Sequence, residues 1–341
     1  MTLIYQPKFE RSATLMRHLT KASDTRTWIE QQTLDVSWIA PAQRDTLIRL
    51  AHYSTKIEGN PLTLPEVEAL ARGKNLMVEE KAKREILNYF ATLRWIWKNT
   101  ASKEILEKDL LYLHKLLTQE VLPKNESGFY KTKPNVVYGN GRVIYKPPPP
   151  EAAPLLTRSL LKWINSKAAY KEHAAIVAAI AHHQLASIHP FSDGNGRAAR
   201  CLEIWILYQR GFDTNHIFAL DEFLDNDRAR YYREIQAVRD RENNLTSWLE
   251  YIAEGILETL SKTQIRIQTL KAKKTSQKII LNINQERILQ ILAQAPRMGG
   301  GELNRALGIT RSHLNKLIHP LLSAGLITKE GSTKAATYRL S

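Results

Sequence analysis

Cysteine is almost missing from this chain of 341 residues, which contains Cys201 alone. That excludes an internal disulfide and fits a reducing cytoplasm. Beside Arg200 on an apolar stretch, Cys201 reads as a small buried core residue. Long apolar runs are missing too. The most apolar segment, 174–188, is interrupted by His182, His183 and Gln184, so nothing reaches the ~18 apolar residues of a spanning helix. The opening MTLIYQPKFERSATLM has no signal-peptide core, and the expectation is a cytoplasmic chain with no membrane partner. No His-Glu-x-x-His or Cys-x-x-Cys spacing accompanies His182 and His183, which read as core or supporting histidines rather than metal ligands. Acidic residues are few beside basic ones, 34 against 49, for a net charge of +15. The imbalance is concentrated at one end: from Lys262 to Ser341 there are fourteen Lys and Arg against three Glu, a net +11. A polyanionic partner is expected for that part.

The remainder is ordinary globular material, 43% hydrophobic and 24% charged, long enough for two or three domains. One stretch stands out: His189-Pro190-Phe191-Ser192-Asp193-Gly194-Asn195-Gly196-Arg197-Ala198-Ala199-Arg200, set between apolar helical runs at 171–188 and 198–210. Gly194 and Gly196 tolerate positive φ, so successive backbone N–H groups can turn inward at the start of the second helix and form an anion seat. Arg197 and Arg200 are three apart on that helix, so both guanidinium groups can reach a phosphate held there. Asp193 is a hard oxygen ligand suited to Mg²⁺. His189 is the only group of the stretch that takes up a proton near neutral pH. A plain turn-rich connector would not need this combination within a dozen residues.

The stretch resembles the Fic-family motif H-P-F-x-[D/E]-G-N-G-R-x-x-R and matches it at every fixed position. The resemblance implies a loop that binds ATP with Mg²⁺ and transfers AMP to a Tyr, Ser or Thr hydroxyl of a target protein. Asp193 would then hold the metal, Gly194, Asn195, Gly196, Arg197 and Arg200 the phosphates, and His189 the hydroxyl proton. Upstream, a helix expected from about Pro41 to Ile57 carries Leu47, Leu50, Ala51 and Ser54 on one face, and Glu58 continues that register. Alone, Glu58 reads as a solvated residue at a helix end before Gly59. Ser54-Thr55-Lys56-Ile57-Glu58-Gly59 also resembles the family's inhibitory motif, [S/T]-x-x-x-E-[G/N]. By that resemblance Glu58 pairs with Arg200 and repels the γ-phosphate, an auto-inhibited state; family members of this kind can also remove AMP, with the glutamate positioning water.

Thr63-Leu64-Pro65-Glu66 is a capping box opening a short helix that ends near Gly73. Helices follow at about 80–98 and 103–120, the latter carrying His114 as a core or capping residue. Two β-branched and aromatic runs around Gly139-Asn140-Gly141, spanning Val136, Val137 and Tyr138 to Tyr145, signal a hairpin. In a Fic-like protein this is the flap that docks the target by main-chain pairing, and Lys131 stands where the resemblance leads one to expect arginine. Helices at 150–166 and 171–188 lead to the loop. After Gly211, Asp225-Asn226-Asp227 caps a helix with Tyr231, Tyr232 and Arg239; that pattern, followed by Trp248, resembles the segment that closes over adenine. A long helix from about Thr246 to Leu270 runs into the charged stretch 271–276. Beyond it, helices at 284–294, 302–307 and 310–324, then a hairpin, resemble a winged helix-turn-helix. There Arg311, Ser312, Asn315 and Lys316 would line the recognition helix, facing DNA or, as in many winged modules, a protein; Lys334 would sit on the wing, and Pro320 should kink or shorten the last helix.

The fold expected is mainly α: a Fic-type helical bundle with a hairpin flap and a C-terminal winged-helix domain, divided as 1–80, 81–270 and 271–341. The activity expected is protein adenylylation, held back by Glu58 and Ser54. Two alternatives remain: transfer of another nucleotide-linked group, and a nucleotide-sensing DNA-binding regulator. A homodimer stays open.

Overall fold

Helices dominate the computed structural model, which describes residues 4–32, 36–102, 104–139, 142–212, 214–273, 281–295, 297–331 and 336–341. Helix α1 (Ala13–Glu30) starts at Ser12, whose hydroxyl accepts from Leu15 N–H at 3.1 Å. Then come α2 (Val36–Ile57), α3 (Leu64–Ala71), α4 (Glu80–Lys98) and α5 (Glu107–Thr118). The box read at Thr63 is formed, with Thr63 N–H donating to Glu66 Oε2 at 2.8 Å. Strands β1 (Val137–Gly139) and β2 (Arg142–Tyr145) pair antiparallel. They lead to α6 (Ala153–Ile164), α7 (Lys167–Lys171), α8 (Ala174–Ile188), α9 (Asn195–Gln209), α10 (Asp221–Asn226), α11 (Arg228–Asp240) and α12 (Thr246–Lys273). The C-terminal part comprises α13 (Ile283–Ala293), β3 (Met298–Gly299), α14 (Gly300–Leu307), α15 (Arg311–Ser323), β4 (Ile327–Glu330) and β5 (Thr337–Leu340). Its sheet has the order β3-β5-β4, antiparallel throughout.

Helix α8 is apolar nearly all round, and a helix of that kind has to be enclosed. It is: α6, α9 and α12 pack around it, and Ala175 through Ala181, Leu185 and Ile188 are buried. One apolar core runs from Leu15 to Ile267, and a second gathers Leu289, Leu303, Leu314, Leu321 and Tyr338. Ala40 of α2 belongs to the second cluster, while Leu47, Leu50 and Ala51 belong to the first. Helix α2 therefore touches both, with α13 packed along it.

Several boundaries differ from those read in the sequence. Helix α2 begins at Val36 and takes Pro41 inside it; Trp38 packs on the main core and Ala40 is buried, contacts that anchor the turn before the proline. Helix α8 begins at Ala174 because His173 caps it, its Nδ1 accepting from Ala175 N–H at 3.2 Å. Helix α9 begins at Asn195, so the glycine turn is its first turn. Pro320 does not shorten α15, which continues to Ser323. The proline lies on the exposed face, where solvent can serve the carbonyl it leaves undonated, and Leu321 anchors the following turn in the core. The boundary stretch 274–280, Asn140, Gly141 and Lys334 lie outside the described residues. Among the described residues no helix is long and apolar enough to cross a membrane.

Candidate active site

The loop between α8 and α9 is braced from three directions. His189 closes α8 in the left-handed region, with φ 51°, a conformation that side chains adopt only where their surroundings hold them. Its Nδ1 lies 3.2 Å from Ala186 O and so carries the proton that donates there, leaving Nε2 to accept. Burial holds its pKa below the usual 6.5, aided by Lys131 and opposed by the Ala186 carbonyl and Glu58. Phe191 is fully buried and stacks on His114, with ring centroids 3.7 Å apart. Gly128 N–H donates to His114 Nδ1 at 3.0 Å, so the ring proton sits on Nε2 and donates to Asp193 O at 3.0 Å. Burial lowers the His114 pKa to about 4, which keeps this brace in a single protonation state.

The motif residues divide between the cavity and the interior. Asn195 is 2% exposed and clamps the loop: Phe191 N–H donates to its Oδ1 and its Nδ2 donates to Phe191 O, both at 2.9 Å. Both polar ends of its side chain are thereby engaged within the loop, which the sequence does not announce. Arg197 is also turned inward, 2% exposed, with Nη1 3.2 Å from Glu85 and Nη2 3.7 Å from Asp193. Sequence spacing put it beside Arg200, but a buried guanidinium needs a counter-charge and α4 supplies one. Gly194 has φ 78°, and its N–H donates to Asp193 Oδ1 at 2.6 Å. Any other residue there would be strained, and its Cβ would lie 3.1 Å from Thr118 Cγ2.

Arg200 is enclosed by its partners. Its Nε donates to Ser54 Oγ at 2.7 Å, and its Nη2 donates to Ser54 O and Glu58 Oε1, each at 2.8 Å. Nη1 lies 3.4 Å from Tyr231 Oη, and Asp221 Oδ1 is 3.5 Å from Nε. Burial disfavours the charge, but Glu58, Tyr231 and Asp221 outweigh it and hold the Arg200 pKa well above its ordinary value. Burial pushes Asp221 up to about 7. The Glu58 carboxylate lies directly over Gly196, where any Cβ would collide with Oε1. The Glu58 carboxylate thus stands beside the first turn of α9, held there by Arg200.

A cavity of about 750 Å³ opens from this point, walled by His189, Gly196, Glu58, Tyr232, Arg239 and the hairpin residue Tyr138. Val137 and Tyr231 also reach it, whereas Val136 stands exposed just outside the hairpin strands. Tyr231 is 2% exposed with its hydroxyl turned to Arg200, while Tyr232 is 40% exposed on the wall. Arg239 sits 3.5 Å from the Tyr145 ring centre, tying α11 to the hairpin. Lys131 is buried, its N–H donating to Pro190 O at 2.9 Å and its Nζ to Asn135 at 2.7 Å. Asp193 is exposed at the loop rim. No cluster of three or more His, Cys, Asp or Glu able to hold a metal occurs among the described residues. One exposed carboxylate suits Mg²⁺, which keeps several waters and takes its other ligands from phosphates. Cys201 is fully buried and its thiol is pushed up to about 12 by burial, so it is inert core. Arg311, Ser312, Asn315 and Lys316 lie elsewhere, together on the exposed face of α15.

Sequence reasoning reads His114 as a core or capping residue and His182 as a core or supporting one, but nothing local ties His114 to Asp193, Glu85 to Arg197 or Glu203 to His182.

Residues 104–207, which hold the loop and its flanking helices, match the Fic/DOC family. Glu58 and Tyr232 fall outside the matched residues. The chain is 29% identical over 260 residues to a protein named protein adenylyltransferase Fic from Aedes aegypti, covering 75% of this chain and 47% of that one. It therefore spans about half the length of the curated relatives it matches. In fold it is similar to a Fic family protein from Desulfovibrio desulfuricans, with a TM-score of 0.68 at 22% identity over 99% of this chain and 98% of the other. It is also similar to residues 134–508 of Fic-1 from C. elegans, with a TM-score of 0.65 at 24% identity over 76% and 74%.

Proposed function

We propose that this chain is a protein adenylyltransferase, restrained by Glu58, that moves AMP from ATP to a hydroxyl side chain of a protein target. The observation that carries this reading is the Glu58 carboxylate lying on Arg200 and over Gly196, 142 positions apart in sequence from the arginine it occupies, in the cavity that His189 also faces. ATP binding needs that carboxylate to move aside. The γ-phosphate then takes its place at Arg200 and the α-phosphorus comes to rest near His189. The target oxygen attacks phosphorus, His189 Nε2 takes the hydroxyl proton, and the bond to the bridging oxygen breaks to release pyrophosphate. Mg²⁺ held by Asp193 and the phosphates would neutralise charge on the leaving group when bound. The hairpin, with Val137 half-buried, Tyr138 exposed and Val136 exposed just before it, supplies main-chain groups to align a target segment.

The pH dependence follows from His189. Because burial lowers its pKa, the ring is the unprotonated base at neutral pH and stays so as pH falls below 6.5. The acidic limb of kcat/KM is expected at a midpoint below 6.5 and should vanish in His189→Ala; a midpoint above 6.5 contradicts the assignment.

A second reading applies to α15. Arg311, Ser312, Asn315 and Lys316 share an exposed face in the region of net +11, and we infer that this face docks on duplex DNA. Replacing Lys316 by Ala is expected to weaken binding to unrelated duplexes alike and to reduce the slope of log affinity against log salt by about 1. Salt-independent affinity, or none, removes the reading.

A further inference from the structure

We infer that Tyr231, His182 and Glu203 form a buried relay that keeps Arg200 aimed at the phosphate seat once Glu58 has withdrawn; this rests on the nucleotide reading above. Two of the groups that hold Arg200, Ser54 and Glu58, sit on or just beyond α2, the element that must yield to a γ-phosphate. The relay is independent of that element. Tyr231 Oη lies 3.0 Å from His182 Nε2, and His182 Nδ1 lies 2.7 Å from Glu203 Oε2. Each of these side chains is at most 2% exposed.

The donors and acceptors permit one consistent assignment with a single proton on the ring. Glu203 can only accept when ionised, so His182 Nδ1–H donates to it and Nε2 accepts from the Tyr231 hydroxyl. The Tyr231 oxygen then keeps a lone pair turned to Arg200 Nη1–H, at 3.4 Å. Every hydrogen in the chain has a partner, and the partial negative charge built up along it faces the guanidinium. The anchors lie on α8, α9 and α11, which pack on the central core. Trp248 locks the ring planes from the other side, its ring 5.2 Å from that of His182 and its Nε1 donating to Ala179 O at 2.8 Å. A carboxylate 2% exposed needs a reason to be there, since an apolar residue would fill the space at lower cost. Setting the tautomer of His182, and through it the direction of the Tyr231 hydroxyl, is that reason. These are positioning residues: they act on the nucleotide through Arg200.

The test is calorimetric binding of ATP and of AMP to the full chain carrying Glu58→Gly. AMP lacks the phosphates that reach Arg200, so it reports on the rest of the cavity. Adding Tyr231→Phe, which keeps the ring and removes the hydroxyl, is expected to weaken ATP about five- to tenfold and to leave AMP within about twofold. Adding Glu203→Leu should do the same. Glu203→Gln should restore ATP binding, because its amide oxygen still accepts from His182 Nδ1–H. Equal losses for ATP and AMP would make the residues merely structural, and unchanged ATP binding in both variants overturns the relay. If Glu58→Gly alone does not prefer ATP to AMP, the nucleotide reading itself fails and the relay with it.

Discussion

Replacing Glu58 by glycine is expected to raise ATP affinity and self-labelling by about a hundredfold. Two unit charges about 4 Å apart interact by roughly 4 kcal/mol at an effective dielectric of ~20, which sets the upper scale near a thousandfold. The Glu58 side chain is 35% exposed, so solvent screens part of that interaction and the smaller figure is the better expectation. A steric contribution adds to it, because the carboxylate fills the space over Gly196 as well as holding Arg200. Titration of the parent and variant with ATP, followed by counting label on the protein, measures both effects. Glu58→Gln separates them: it keeps the volume and removes the charge, and should fall between the two. Equal affinity and labelling in all three would take Glu58 out of the regulatory role.

Removing the imidazole has an effect of similar size in the opposite direction. In the Glu58→Gly background, His189→Ala is expected to lower turnover at least about a hundredfold, the usual scale for loss of a positioned general base. ATP affinity should hold nearly constant, because the groups aimed at the phosphates are Arg200 and the first turn of α9, whereas the free nitrogen of His189 faces the cavity beside the hairpin. A joint loss of binding and turnover would instead mean that His189 supports the loop. The structure assigns that support to His114 and Asn195, which hold Asp193 and Phe191 from the opposite side.

What the sequence discloses about this site depends on how local the cause is. The turn at the start of α9 could be read because Gly194 and the residues around it are neighbours in sequence. The face of α2 that ends in Glu58 could be read because its apolar residues keep a helical period, and they are buried as that period requires. Arg197 shows the limit. Its spacing from Arg200 is ideal for a shared phosphate, yet its partner, Glu85, comes from a helix far upstream and turns it inward. Asn195 shows the same limit, since a side chain that can bind a ligand can equally bind the backbone four residues away, as it does here. The start of α2 was placed at Pro41 by a local preference, and the burial of Trp38 and Ala40 overrides it. That same packing brings the basic C-terminal part against the helix that leads to Glu58, a relation between distant segments that no pattern in either one announces.

The most direct test is transfer from ATP labelled at the α-phosphorus, run beside ATP labelled at the γ-phosphorus, with the Glu58→Gly protein, the Glu58→Gly/His189→Ala protein and the parent in cell extract. The account predicts that, above the level in extract without added protein, α-label enters protein strongly with Glu58→Gly, weakly with the parent and not with the double variant, while none of the three adds γ-label to that of the extract's own kinases. γ-Label above that level with Glu58→Gly, or equal α-labelling by the parent and Glu58→Gly, would contradict it.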